Sequence, residues 1–200
     1  MLSSEVCYQA IRSPDLTLQQ VDCIALSNQL CTLTEEVLEQ GASIGFLNTT
    51  SRREITSYWQ HVIEQVSQSH KILLLAKLAE AIIGCVQLSM NHKHNGLHRA
   101  EVEKLLISPC FQRHGIATIL MQKLEDECRK RQVSLLVLDT QTGSSAEVFY
   151  NQIGYRLVGQ IPDYSIDNSG CFHATSYFYK LLAPSQINKT PCGEARFTAE

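Results

Sequence analysis

The sequence predicts an α/β domain built on a mixed sheet, and three observations carry that expectation. Segments of β and helical character follow in the order strand, two helices, three strands, helix, strand, helix, two strands, which suits one sheet with helices laid against it. The run Leu135-Leu136-Val137-Leu138 is apolar without interruption, as a buried strand of parallel type requires. The chain has 200 residues with 44% hydrophobic content, enough for one substantial core.

Residues 5–13 alternate loosely and read as a first strand. Residues 16–40 are helix-biased. Leu18, Val21, Ile24, Leu26, Leu30, Leu33, Val37 and Leu38 form an approximate apolar stripe, and Gly41 suits the stop. Gly41-Ala42-Ser43-Ile44-Gly45-Phe46 reads as a loop. Residues 51–66 form a second helix carrying Ile55, Tyr58, Trp59, Ile63 and Val66. Residues 71–78 and 81–90 are β-rich runs a short turn apart, hence an antiparallel hairpin. Asn95-Gly96 marks a turn in the polar stretch 91–97, and residues 100–108 are the next strand. Over 116–131, Ile119, Leu120, Lys123, Leu124 and Glu127 give one apolar and one charged helix face. After the 135–138 strand, a short helix over 144–152 ends at Gly154. Two final strands, 155–161 and 172–181, flank a polar loop over 162–170. The domain spans 1–182. Residues 183–200 contain Pro184, Pro191 and Gly193 with few apolar side chains and read as a flexible tail.

Charged residues make up 18% of the chain, and the formal net charge is −3. Such a balance disfavours a nucleic-acid partner, which wants a basic surplus. The first twelve residues lack a basic start followed by an apolar run, and the longest apolar runs, 72–76 and 81–86, are far too short for a bilayer. A cytoplasmic protein with no membrane partner is expected; a homodimer is compatible with the chain. Eight cysteines, at 7, 23, 31, 85, 110, 128, 171 and 192, include no C-x-x-C pair, and they read as free thiols packed as small hydrophobes. His92, His94 and His98 lie in the polar stretch and read as a hairpin tip, so no metal is expected.

The chemistry concentrates at Leu105-Leu106-Ile107-Ser108-Pro109-Cys110-Phe111-Gln112-Arg113-His114-Gly115-Ile116-Ala117, where a strand runs into a turn that opens a helix. The first amides of a helix have no internal partner and sit at the positive end of its dipole, which suits phosphate. Gly115 permits close backbone approach, and Ala117 keeps the contact unobstructed. The Q-x-x-G-x-A pattern resembles motif A of the GNAT acetyltransferase superfamily. That resemblance implies the GNAT fold, a mixed, mostly antiparallel sheet of about six or seven strands flanked by helices. It implies acetyl-CoA as co-substrate, with Gln112, Arg113, His114, Gly115, Ile116 and Ala117 around its diphosphate. The strand backbone at Leu106 and Ile107 would then pair with the pantetheine arm. His114 occupies an unspecified position of the motif and is expected to be exposed.

Ala146-Glu147-Val148-Phe149-Tyr150-Asn151-Gln152-Ile153-Gly154-Tyr155 resembles a second signature of the superfamily. It implies that Tyr150 protonates the departing CoA thiolate, a task for a phenol of ordinary pKa about 10. Many members carry Asn seven residues earlier, where this chain has Gly143. The segments 41–46, 95–105 and 138–140, with Tyr177-Phe178-Tyr179-Lys180-Leu181, are similar to the tabtoxin-resistance-type branch, over roughly residues 5–182. That likeness implies a small amino-acid-like or toxin-like amine as acceptor.

An alkylammonium must lose a proton before it can attack a thioester, and Glu101, Glu103 and Asp139 are the candidate bases. Glu101 and Glu103 share a strand face, and Asp139 ends the neighbouring apolar strand. The branch resemblance points to Glu101 and Asp139. Arg99 is a candidate partner for a substrate carboxylate. The expected activity is acetyl transfer from acetyl-CoA to a primary amine in a ternary complex. The alternatives are a protein acceptor, at a lysine or N-terminus, and a non-catalytic acyl-CoA-binding sensor.

Overall fold

Residues 5–11 and 20–182 are described by the computed structural model of the chain. The elements run β1 (Val6–Ile11), α1 (Gln20–Glu39), α2 (Arg52–Ser67), β2 (Lys71–Leu78), β3 (Ala81–Met90), β4 (Arg99–Ile107), α3 (Ile116–Lys130), β5 (Leu135–Gln141), α4 (Ser145–Gln152), β6 (Arg156–Ile166) and β7 (Phe172–Leu181). The expected helix start at 16 and the tail 183–200 lie outside the described residues.

Local chemistry sets several boundaries. Ser51 caps α2: its backbone N–H donates to Glu54 Oε2 at 2.9 Å, and its hydroxyl accepts from the Glu54 amide at 3.3 Å. This reciprocal pair satisfies two donors the helix itself cannot. Ser144 caps α4 through its hydroxyl alone, accepting from the Glu147 amide at 3.2 Å. Gly115 opens α3 with φ +79°, a conformation glycine adopts freely.

One seven-stranded sheet has the order β1-β2-β3-β4-β5-β7-β6. Every neighbouring pair is antiparallel except β4 and β5. That parallel ladder holds only Arg99↔Leu135, Ala100↔Leu136 and Glu101↔Val137. Beyond Glu101 and Val137 the two strands part and leave a seam.

Side chains on the two faces belong to separate apolar clusters. Under α1 and α2 lie Leu73, Leu75, Cys85 and Leu106 with Trp59, Leu30 and Leu33. Under α3 and α4 lie Ala100, Val102, Leu136, Leu138 and Phe178 with Ile116, Leu120 and Tyr150. In β4 the periodicity slips: Cys85 pairs with Leu106 but Gln87 with Glu103, so β4 carries one extra residue there. Lys104 absorbs it with φ +49°. The bulge turns Leu106 to the α1/α2 face, although plain alternation from Ala100 and Val102 would point it to the other.

Three expectations change. The strand read as ending at 161 runs on to Ile166, with Pro162 held in an irregularity between Ile161 and Ser165, so the loop before β7 is shorter than 162–170. Proline is tolerated there because β6 is an edge strand. Asp139 does not end its strand; β5 continues to Gln141 and Asp139 pairs with Tyr177. That strand is buried through Leu136 and Leu138, while Leu135 and Val137 are only partly covered. Cysteine usage is also mixed: Cys31, Cys85 and Cys128 are buried, whereas Cys7, Cys110 and Cys171 are exposed thiols; Cys192 lies outside the described residues.

Candidate active site

Beyond the seam, β4 ends and a 3₁₀ turn over Pro109–Phe111 leads into α3. Arg113 (φ +64°) and Gly115 (φ +79°) are both left-handed. Alternation of this kind gathers successive amides into an anion-binding nest. Among the described residues, the backbone N–H groups of Arg113, His114 and Gly115 meet no acceptor. Nothing stands within 4 Å of the position a Gly115 side chain would take. The turn is braced from within, since Gln112 Nε2 donates to the Ile107 carbonyl at 3.4 Å and His114 Nδ1 lies 2.7 Å from the Gln112 carbonyl. Ile116 is buried in the core behind the nest, Ala117 is half-buried, and Gln112, Arg113 and His114 are at the surface. An open concavity of unpaired amides fits a diphosphate.

At the seam the carboxylates collect. Because paired residues share a face, Glu101, Glu103, Asp139 and Tyr177 all project on the α1/α2 side. Asp139 is two residues past the last β4–β5 pair, where the strands separate. Its Oδ2 accepts from the Thr175 hydroxyl at 2.8 Å. Glu103 forms an ion pair with Lys71, so it is already engaged. Glu101 forms no such pair among the described residues. Burial, then the like charges of Glu103 and Asp139, raise the Glu101 pKa, with Lys71 and Arg99 pulling partly back. A carboxylate so placed accepts a proton more readily than a free one. Arg99 is exposed at the start of β4.

Tyr150 approaches from the opposite face. It is 7% exposed and packs against Phe149, Tyr155 and Phe178 at centroid distances of 5.5, 5.6 and 6.3 Å. Burial first, and the Asp139 charge second, hold the phenol protonated well above its ordinary range. Gly143 has its amide 2.6 Å from Glu147 Oε2.

A cleft of about 160 Å³ opens at the end of β5, lined there by Gln141, two residues beyond Asp139. Gly41, Ala42, Ser43, Phe46 and Leu47 of the α1–α2 loop line one side, and Gln141, Ile166, Asp167, Asn168 and His173 the other. The two sides are clasped, for the Asn48 amide donates to Asn168 Oδ1 at 2.8 Å. His173 Nε2 lies 2.8 Å from Asp167 Oδ2.

Sequence reasoning missed Lys104, Tyr58, Thr175 and Tyr177. For Lys104 a signal existed: adjacent polar residues Glu103 and Lys104 break an otherwise regular alternation, as a bulge does. The others depend on register, which the sequence does not print. Among the described residues no set of three His, Cys, Asp or Glu side chains comes together to hold a metal, and none of the helices is long and apolar enough to cross a membrane.

Comparison with known proteins places this geometry in context. A family model described as the acetyltransferase (GNAT) family matches residues 31–155. An uncharacterised N-acetyltransferase of Azospirillum brasilense is 24% identical over 131 residues, covering 64% of this chain and 76% of the relative. A GNAT-family acetyltransferase from Streptococcus pneumoniae superposes with a TM-score of 0.69 at 18% identity, over 89% of this chain and 100% of that one. The ribosomal-protein-alanine N-acetyltransferase of Brucella melitensis gives 0.67 at 16% identity, over 88% and 99%. The yncA protein of Salmonella typhimurium, solved with its cofactor acetyl-CoA, gives 0.66 at 13% identity, over 94% and 99%.

Proposed function

The chain belongs to the GNAT acetyltransferase family, and from that premise we propose that it moves an acetyl group from acetyl-CoA to the primary amine of a small amino-acid-like or toxin-like molecule, as in the tabtoxin-resistance-type branch. The observation that carries the reading is the seam between β4 and β5. Candidate bases stand on one side of it, a protonated phenol on the other, and a nest of unpaired amides at its far end.

When bound, acetyl-CoA supplies the activated acetyl thioester. Arg113, His114, Gly115, Ile116 and Ala117 hold its diphosphate through backbone amides, beside Gln112, and the open edge of β4 at Leu106 and Ile107 holds the pantetheine arm. Glu101 or Asp139, directly or through water, takes a proton from the acceptor ammonium and leaves the free amine. The free amine would add to the acetyl carbonyl and the C–S bond break, with Tyr150 giving its hydroxyl proton to the departing sulfur and regaining one from the acylated nitrogen, by way of solvent, to leave the amide and the CoA thiol. Fixing both groups about the seam supplies proximity rather than new reactivity.

A small acceptor is favoured over a polypeptide by the clasp between Asn48 and Asn168 and by the modest size of the cleft, about 160 Å³. Protein acetylation, the activity for which the Brucella neighbour is named, is the competing reading.

The test is CoA thiol release from acetyl-CoA with a panel of small amines and a peptide control, using wild type, Gly115→Glu, Tyr150→Phe and Asp139→Asn. Acceptor-dependent release, lost in Gly115→Glu and slowed about 10²- to 10⁴-fold in Tyr150→Phe, supports the proposal. Acetyl-CoA binding without turnover of any amine points to a sensor; release with the peptide alone points to a protein acceptor.

A further inference from the structure

Among the described residues, the Lys104 ammonium stands out as a cation held against the cleft-lining Phe46 whose partner the reaction scheme above does not provide. The β4 bulge puts it on the same face as Glu103, at a left-handed φ of +49°. A non-glycine residue seldom adopts such a conformation, and it persists where the surroundings impose it. The side chain passes beneath the α1–α2 loop. Its Nζ lies 5.8 Å from the Phe46 ring centroid and 5.5 Å from that of Tyr58. It is also 3.4 Å from where a Gly45 side chain would begin. Phe46 also lines the cleft.

Two aromatic walls orient a cation but use none of its three N–H donors. Among the described residues Lys104 Nζ has no hydrogen-bond acceptor and no carboxylate within 4 Å. Glu103, its neighbour, is given over to Lys71. Burial lowers the Lys104 pKa, and Glu103 only partly restores it, so the ammonium gains from any anion brought alongside. Arg99, the other candidate for a substrate carboxylate, is exposed at the start of β4, two residues from Glu101.

We propose that Lys104 anchors the carboxylate of the acceptor, so that the site selects amino acids and related amino-carboxylates over plain amines. This rests on the acetyltransferase reading for its acceptor. The amine end of the molecule faces the acidic pair Glu101 and Asp139 while its carboxylate end meets Lys104, which fixes both its class and its orientation. A charge-assisted hydrogen bond is worth about 1.5–3 kcal/mol, which corresponds to about ten- to hundredfold in selectivity.

The test compares amino acids (alanine, serine, glutamine) with their carboxamides, in wild type, Lys104→Met, Lys104→Arg and Phe46→Leu. Calorimetric binding in the presence of free CoA is measured beside thiol release from acetyl-CoA. Wild type is expected to prefer the acids at least tenfold. Lys104→Met should erase that preference, Lys104→Arg should keep part of it, and Phe46→Leu should weaken it. Expressing each variant's acid-to-amide ratio relative to wild type cancels the different basicity of the two amine series. The anchor is overturned if wild type does not discriminate, or if folded Lys104→Met, checked by circular dichroism, keeps the wild-type ratio. Acid-selective binding without thiol release upholds the anchor and overturns the acetyltransferase reading. Thiol release from acids and amides alike does the reverse.

Discussion

Asp139 and Tyr177 stand directly opposite each other in the β5–β7 ladder, so carboxylate and phenol rise from the same face of the sheet. The Tyr177 hydroxyl lies 2.9 Å from that of Tyr164 on β6. That hydrogen bond, with partial burial and the Asp139 charge behind it, pushes the Tyr177 pKa up to about 12. Tyr177 is therefore a neutral donor beside Asp139 through the physiological range. Tyr164→Phe is expected to relax this, bringing the Tyr177 ionisation down toward the ordinary value of about 10. An ultraviolet pH titration of the tyrosinates checks it, and an unchanged high-pH titration would exclude the Tyr164 contact as cause.

With Glu101 as the proposed base, the sign of the pH dependence of turnover follows from its environment. Its folded-state pKa lies above the usual carboxylate value, so its contribution to stability is present at low pH and is lost as pH rises through the raised value. Base function runs the other way and requires the ionised form. The acidic limb of kcat/KM is thus expected above about 4.3. Glu103→Gln removes a like charge and releases Lys71, and both effects should move that limb down. A limb that moves up, or stays, assigns it to another group.

Trp59 is fully buried, and its Nε1 donates to Thr34 Oγ1 at 2.8 Å. Thr34 in turn donates to the Leu30 carbonyl at 2.7 Å, which binds α2 to α1. Thr34→Val leaves the indole N–H buried without an acceptor and should cost about 1–3 kcal/mol. Trp59→Ala should cost about 3–5 kcal/mol. Urea unfolding of both variants measures these, and a smaller loss in Trp59→Ala than in Thr34→Val would contradict the packing described.

Asn168→Ala cuts the clasp from the β6–β7 loop to the Asn48 amide. The acceptor KM is expected to rise several-fold with little change in kcat, because the proposed bases and acid belong to β4, β5 and α4 rather than to either loop. Steady-state kinetics with a saturating acyl donor separates the two parameters. A fall in kcat alone would detach the clasp from acceptor binding.

Thiol labelling under native conditions should modify Cys7, Cys110 and Cys171 quickly, while Cys85 and Cys128 react only as the chain unfolds. Burial pushes both of those thiols up to about 12, and the thiolate is the reactive form. Peptide mapping by mass spectrometry identifies the sites.

How much of this was legible in the sequence follows from what each element depends on. The hairpin 71–78 and 81–90 was read to the residue because its β-branched and leucine runs and its turn are local signals. Ser51 and Ser144 gave the helix starts for the same reason. The strand beyond Ile161 was missed because Pro162 and Asp163 punctuate like a loop, and only pairing with β7 keeps them in the sheet. Asp139 reads as a strand end because Asp139-Thr140-Gln141 is polar; its ladder partners, thirty-odd residues downstream, are invisible locally. The turn over 112–117 and Tyr150 stand out in the sequence through family patterns, as expectations that the resemblance carries. The surroundings of Lys104 were not, since they come from a loop, a helix and a bulge brought together only by folding.

The short β4–β5 ladder has a consequence for how the molecule is partitioned. An unbroken sheet insulates its two faces from each other, with layers about 10 Å apart, so a proton donor on one side and acceptors on the other would serve different compartments. With three pairs of contact and then divergence, the sheet becomes a bulkhead with a doorway. Asp139 and Glu101 belong to one room and Tyr150 to the other, and whatever is threaded through the doorway is in reach of both.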